Sequence, residues 1–255
     1  MRSNNPVLTQ LPQAGSFAGY GSVQTDRPMT VDDVVTKTGI TLAVIVAFAV
    51  ANFGIALAGR PDISTILTFV GAIGGFITVL VHAFGKKFGS RTVTLIYAAF
   101  EGLFVGGFSL ILSGWMIGGA NAGAMISQAI LGTVGVFLGM LFVYKTGAVR
   151  VTPRFNRILT GAIVGVAVMA LGNLVLFLFT GLSPLRDGGP LAIIFGVVCI
   201  ILAALSFLQD FDLADRLVRT GAPSQMAWGV ALGLAVTLVW LYTEILRLLS
   251  YANRN

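Results

Sequence analysis

Residues 190–221 read "PLAIIFGVVCIILAALSFLQDFDLADRLVRTG". From Pro190 to Gln209 no side chain is charged, and a helix of about 20 such residues crosses the roughly 30 Å hydrocarbon core of a bilayer. Three aspartates, Asp210, Asp212 and Asp215, then follow closely, although the whole chain holds only 10 acidic residues. The stretch reads as a membrane span that ends in an acidic mouth. Composition agrees: the 255 residues are 56% hydrophobic and 10% charged, with a mean hydropathy of +0.91, far from the balance of a soluble domain.

Six further apolar segments of similar length lie on either side of this one, giving predicted spans at 38–59, 63–85, 92–113, 122–144, 158–180, 190–209 and 226–250. The expected fold class is therefore an all-α integral membrane protein, a single seven-helix domain over residues 37–255. Residues 1–36, rich in Ser, Gly, Gln, Pro and Thr, have no apolar core of the kind a secretory signal needs and are expected to be a polar tail. Thr30 is placed to cap a short helix whose first turn carries Asp32 and Asp33, leading into the membrane.

Twelve of the 16 Lys and Arg residues fall on the membrane side of the amino terminus: Arg2, Arg27, Lys37, Lys86, Lys87, Arg91, Lys145, Arg150, Arg154, Arg157, Arg216 and Arg219. The positive-inside rule makes that side cytoplasmic, and seven crossings put "SYANRN" (250–255) on the other. No Lys/Arg block with interleaved aromatics suggests nucleic acid as a partner. Cys199 is the one cysteine, so no intrachain disulfide forms. Glycines at four-residue spacing, Gly71/Gly75, Gly102/Gly106, Gly135/Gly139 and Gly161/Gly165, are expected to let helices approach closely within the bundle.

Seven compact spans, the pair Phe211-Asp212 in "LQDFD" at the end of the sixth, and a last span running into "WLYTEILRLLSY" (240–251) together resemble the Bax inhibitor-1 family, the transmembrane Bax-inhibitor-motif proteins, in particular its bacterial members. The resemblance covers most of residues 37–251. It implies a bacterial inner-membrane protein with a central last helix surrounded by the other six. In some members it also implies a pH-gated cation leak, chiefly of calcium. Those members use two aspartates that share a proton; Asp212 matches the first, and Thr237 stands where the second would fall. A threonine cannot titrate, so half of that device is absent. For other bacterial members the resemblance implies a non-conducting partner of membrane proteins, such as a regulator of a membrane-bound protease, and then residues 1–30 would be the working part.

The acids are the candidate ion-binding or gating residues. Carboxylates are the hard ligands calcium prefers, so Asp212 is the candidate calcium ligand, with Asp210 and Asp215 adding negative field and Thr237 a neutral hydrogen-bond partner for Asp212. The plainer alternative has Asp210 or Asp212 capping a separate helix "LADRLVRTG", and Asp212 and Asp215 paired with Arg216 or Arg219. Glu101 lies halfway along the third span, where an ionisable group normally faces the bundle interior; it either serves ion passage or hydrogen-bonds a neighbour such as Asn173 or Gln128. Glu244 lies two turns beyond Thr237, able to titrate at another depth or to pair with Arg247 at i+3. His82, the one histidine, reads as a solvated interface residue rather than a pH sensor. Trp115, Trp228, Tyr144 and Tyr242 read as interfacial anchors, and Trp240 as an anchor or as buried packing.

Enzyme classes fail for want of residues. His82 has no GxSG partner for serine proteolysis, one histidine and one cysteine do not easily make a zinc site, no lysine lies within the last span for retinal, and no phosphate-binding loop exists for an energised pump. A proton-coupled transporter would need internal repeats, and none is evident. The expected activity is a passive calcium or proton leak without a resident cofactor, bound calcium aside.

Overall fold

A computed structural model describes residues 27–85, 88–112 and 122–253. The predicted tail up to residue 26, Lys86, Lys87 and the connector holding Trp115 lie outside the described residues. Among those described there are seven long helices: α1 (Val31–Leu57), α2 (Pro61–Phe84), α3 (Arg91–Leu112), α4 (Ala122–Thr146), α5 (Pro153–Thr180), α6 (Pro190–Arg219) and α7 (Ala227–Ala252). All seven are long and apolar enough to span a membrane, as the sequence predicted. The most apolar stretch of α7 is 78% buried, against 6–44% for the other six. A last helix that carries the interior rather than the lipid face has this property.

Two boundaries differ from the sequence reading in an informative way. The short helix expected before the first span is one piece with it, so α1 starts at Val31, inside the stretch read as tail. The expected separate helix after Gln209 is likewise absent, because α6 runs unbroken for 30 residues to Arg219. No Pro or Gly interrupts "LQDFDLADRLVR", and Leu, Ala and Arg are good helix formers. The aspartates thus sit within helical turns, and neither Asp210 nor Asp212 stands at the start of a helix.

The chain divides into two compact units. The first comprises Met1–Phe108 and Asp210–Val236. Its entry into α1 is capped as predicted: Thr30 Oγ1 accepts from Asp33 N at 3.2 Å, and Thr30 N donates to Asp33 Oδ2 at 3.0 Å. Arg27 adds two bonds to the same carboxylate, at 2.8 and 2.9 Å. Residues 27–29 are stitched to the turn before α7 through Met29 N to Ala222 O at 2.7 Å and Ser224 N to Arg27 O at 3.0 Å. Asn52, fully buried in α1, donates to Thr68 Oγ1 of α2 at 3.1 Å and to Leu103 O of α3 at 2.6 Å, polar glue of the kind lipid-embedded helices use. Glycine lets these helices touch. A Cβ on Gly71 would lie 2.5 Å from Phe100 O, and one on Gly102 2.5 Å from Ile45 O.

The second unit comprises Ser109–Gln209 and Thr237–Asn255. Thr152 caps α5 with Pro153 in its first turn, and Gly181, at φ 72°, ends it in the left-handed conformation. Ser109 and Tyr242 hydroxyls meet at 2.8 Å, and Phe137 packs edge-on against Phe207. Here the glycine expectation is overturned. A Cβ on Gly135, Gly139, Gly161 or Gly165 would find no atom within 4 Å, so close approach within the bundle is the role of the first two glycine pairs only.

Candidate functional site

In the first unit α6 turns Asp210 and Asp212 nearly opposite ways, being two apart on the helix, while Asp212 and Asp215, three apart, lie on one side. Asp212 Oδ2 is 2.7 Å from Arg216 Nε, and Asp215 Oδ2 is 2.9 Å from Arg219 Nε, both i,i+4 pairs. The pairing part of the plainer reading therefore holds, while its capping part does not. Arg216 and Arg219 in the last turn also offset the unfavourable placement of acids near a helix carboxyl end. Asp212 is the more sheltered of the two, its side chain 21% exposed against 36% for Asp215. Asp210 lies beside α7: a Cβ on Gly233 would stand 4.0 Å from Asp210 Oδ1.

Glu101 on α3 is half-buried. Its carboxyl hydrogen-bonds the buried side chain of Tyr97, one turn back. This corrects the expected partners, since Gln128 is exposed and Asn173 instead binds Ser183 Oγ at 2.8 Å and Leu185 N at 3.0 Å. The carboxyl also fills the space left by a glycine, for a Cβ on Gly75 would lie 2.8 Å from Glu101 Oε2. Among the described residues no cation pairs with Glu101 within salt-bridge distance.

His82 is 4% exposed, which corrects the solvated reading. Its ring lies 5.4 Å from that of Phe88 at a tilt, and neither ring nitrogen has a hydrogen-bond partner among the described residues. Trp228 is also buried rather than an anchor: Lys37 Nζ and Arg91 Cζ lie 5.7 and 5.6 Å from its ring centroid, and Thr94 Oγ1 donates to its carbonyl at 3.0 Å. Tyr242 is taken up by its bond to Ser109.

In the second unit Thr237 is buried on α7, and Glu244 on the same helix is only 4% exposed in its side chain. The predicted Glu244–Arg247 pair is present at 2.6 Å. A second guanidinium was not foreseen: Arg186, between α5 and α6, places Nη1 3.2 Å from Glu244 Oε2. Chain parity held the signal, because the α5–α6 connection and the carboxyl end of the seventh span emerge on the same face of the membrane. A lone cation in the first and a lone acid near the second could have been paired on that ground.

Among the described residues no group of three His, Cys, Asp or Glu side chains could hold a metal ion. The acids are dispersed, with Asp210, Asp212, Asp215 and Glu101 in one unit and Glu244 in the other. Seven apolar helices with ionisable groups set along them define a multi-pass protein of the lipid bilayer. More particularly, the chain belongs to the Bax inhibitor 1 like family, whose profile matches residues 5–254. No curated protein matches the chain.

Proposed function

We propose that the protein is a passive cation leak of a bacterial inner membrane, with its amino terminus in the cytoplasm and calcium or protons as its cargo. The observation that carries this reading is Glu101. A carboxyl in the middle of a span is expensive in an apolar medium, and here it rests on a tyrosine hydroxyl with no cation beside it among the described residues. Such a group is available to a passing cation or proton. Asp212 binds or gates at the cytoplasmic mouth, where release from Arg216 exposes a hard oxygen ligand, and Asp210 and Asp215 supply field. Thr237 leaves no second aspartate to share a proton with Asp212, so pH modulation in this chain falls to single acids.

The test is calcium flux into liposomes holding the purified protein across about pH 5 to 8, a range that spans carboxyl and histidine titration, for wild type, Asp212→Asn and Glu101→Gln. Flux lost in either variant supports the leak and identifies the acid that carries it. Flux no greater than that of empty liposomes at every pH would sink the leak and favour the non-conducting partner of membrane proteins, with deletion of residues 1–30 as the next variant.

A further inference from the structure

The connection between α5 and α6, residues 181–189, is held from three sides. Asn173 of α5 donates to Ser183 Oγ at 2.8 Å and accepts from Leu185 N at 3.0 Å. Gly188, at φ 89°, rests on the Tyr251 ring of α7, where a Cβ would stand 3.3 Å from the nearest ring atom. Arg186 reaches α7 with Nη1 3.3 and 3.2 Å from the two Glu244 oxygens, its guanidinium 5.4 Å from the centre of the Phe195 ring. Beneath it, Leu185 joins Phe195 and Cys199 in a buried cluster against Val166, Ala170 and Trp240.

The charge arrangement is unusual for a purely static clasp. A buried carboxylate that loses its sole partner is strongly penalised, which locks the pair shut. Glu244 has two partners, and the nearer, Arg247 at 2.6 Å, belongs to its own helix. When Arg186 leaves, Glu244 keeps a counter-ion, and Arg186, already 29% exposed in its side chain, gains water. The connection can therefore lift without stranding a charge. Gly181 and Gly188, both at positive φ, give it backbone freedom at each end.

We infer that residues 181–189 are a movable strap over the apolar cluster at the ends of α5 and α6 and the neighbouring part of α7, with Arg186–Glu244 as its latch. The strap controls access from the membrane face opposite the amino terminus to the interior at Cys199. It operates whether or not cations pass.

Cys199 reports on it directly, being the one cysteine of the chain and 1% exposed. Full-length protein in micelles is alkylated with a charged, water-soluble maleimide and, separately, with a small uncharged one, and the ratio of the two rates is followed. A change in thiol reactivity moves both rates together; opening of the strap raises the charged rate selectively. Arg186→Ala, which leaves the Glu244–Arg247 pair intact, is expected to raise the ratio about tenfold, equivalent to about 1.4 kcal/mol. Arg186→Lys is expected to fall between it and wild type, and Asp62→Asn, in an exposed surface pair, to match wild type. A ratio unchanged in Arg186→Ala overturns the strap. So does a rise that simply tracks a drop in thermal stability, since global unfolding then exposes the thiol. Glu244→Gln gives an independent second reading, with the same ratio deciding.

Discussion

At the scale of single residues the interior is governed by what each polar group meets. Gly75 leaves room for the Glu101 carboxyl, a rotatable group that a methyl there would push aside, whereas a methyl on Gly102 would meet the backbone at Ile45 O. Overpacking against backbone costs about 1–3 kcal/mol, so Gly102→Ala is expected to lower the thermal midpoint in detergent, while Gly139→Ala, which meets nothing within 4 Å, is expected to keep or raise it. His82 gives the opposite sign. A buried ring without a described partner carries a desolvation penalty of about 1–3 kcal/mol that an apolar ring of similar size does not. His82→Phe is therefore expected to keep or raise the midpoint, and a clear fall would mean that the ring has a polar partner after all. The sequence disclosed that Glu101 lies at mid-span, because hydropathy fixes depth. It could not disclose that Tyr97 and Gly75 surround the carboxyl, because in helices apolar nearly all round the face a residue takes is not written in the periodicity.

At the scale of elements, what local chemistry dictates was readable and what depends on distant chain was not. Thr30 with Asp33 marks a helix start by a rule that involves only four residues, whereas the predicted fifth span, from 158, passes over the equally local start at Thr152 and Pro153. The sequence reading ends the sixth span at Gln209 because acids mark a membrane boundary, but that boundary is not a helix end, since spacing of four to Arg216 and Arg219 lets the helix absorb them. This bears on how a flux experiment is interpreted. A partly exposed i,i+4 pair contributes about 0.3–0.5 kcal/mol, so Asp212→Asn is expected to unfold at nearly the wild-type temperature, and any flux lost with it reflects the site and not the fold. Glu244→Ala differs, for the Glu244 side chain is only 4% exposed and lies 3.2 Å from Arg186 Nη1 and 2.6 Å from Arg247 Nη1; removing one partner of a buried pair costs about 3–5 kcal/mol. Thermal melts of the two variants side by side check both expectations, and equal shifts would refute the distinction between a surface pair and a buried one.

At the scale of the whole molecule, orientation is the property on which the proposed leak depends, since Asp212 is a cytoplasmic mouth only if the amino terminus is cytoplasmic. Twelve of 16 cationic side chains lie on that side by chain order, a bias strong enough to set topology when counted over short connections. Seven long apolar helices are present among the described residues, and an odd number of crossings puts the two termini on opposite faces. Alkaline phosphatase, which folds to activity only outside the cytoplasm, is therefore expected to be active when fused after Ala252 and inactive when fused in the connection between α6 and α7. A green fluorescent reporter, which matures in the cytoplasm, is expected to give the reverse. Activity of the phosphatase at the α6–α7 connection would turn the protein over: Asp210, Asp212 and Asp215 would then face the outside, Arg186 and Glu244 the cytoplasm, and the leak would have its acidic mouth where calcium is abundant rather than where it is scarce.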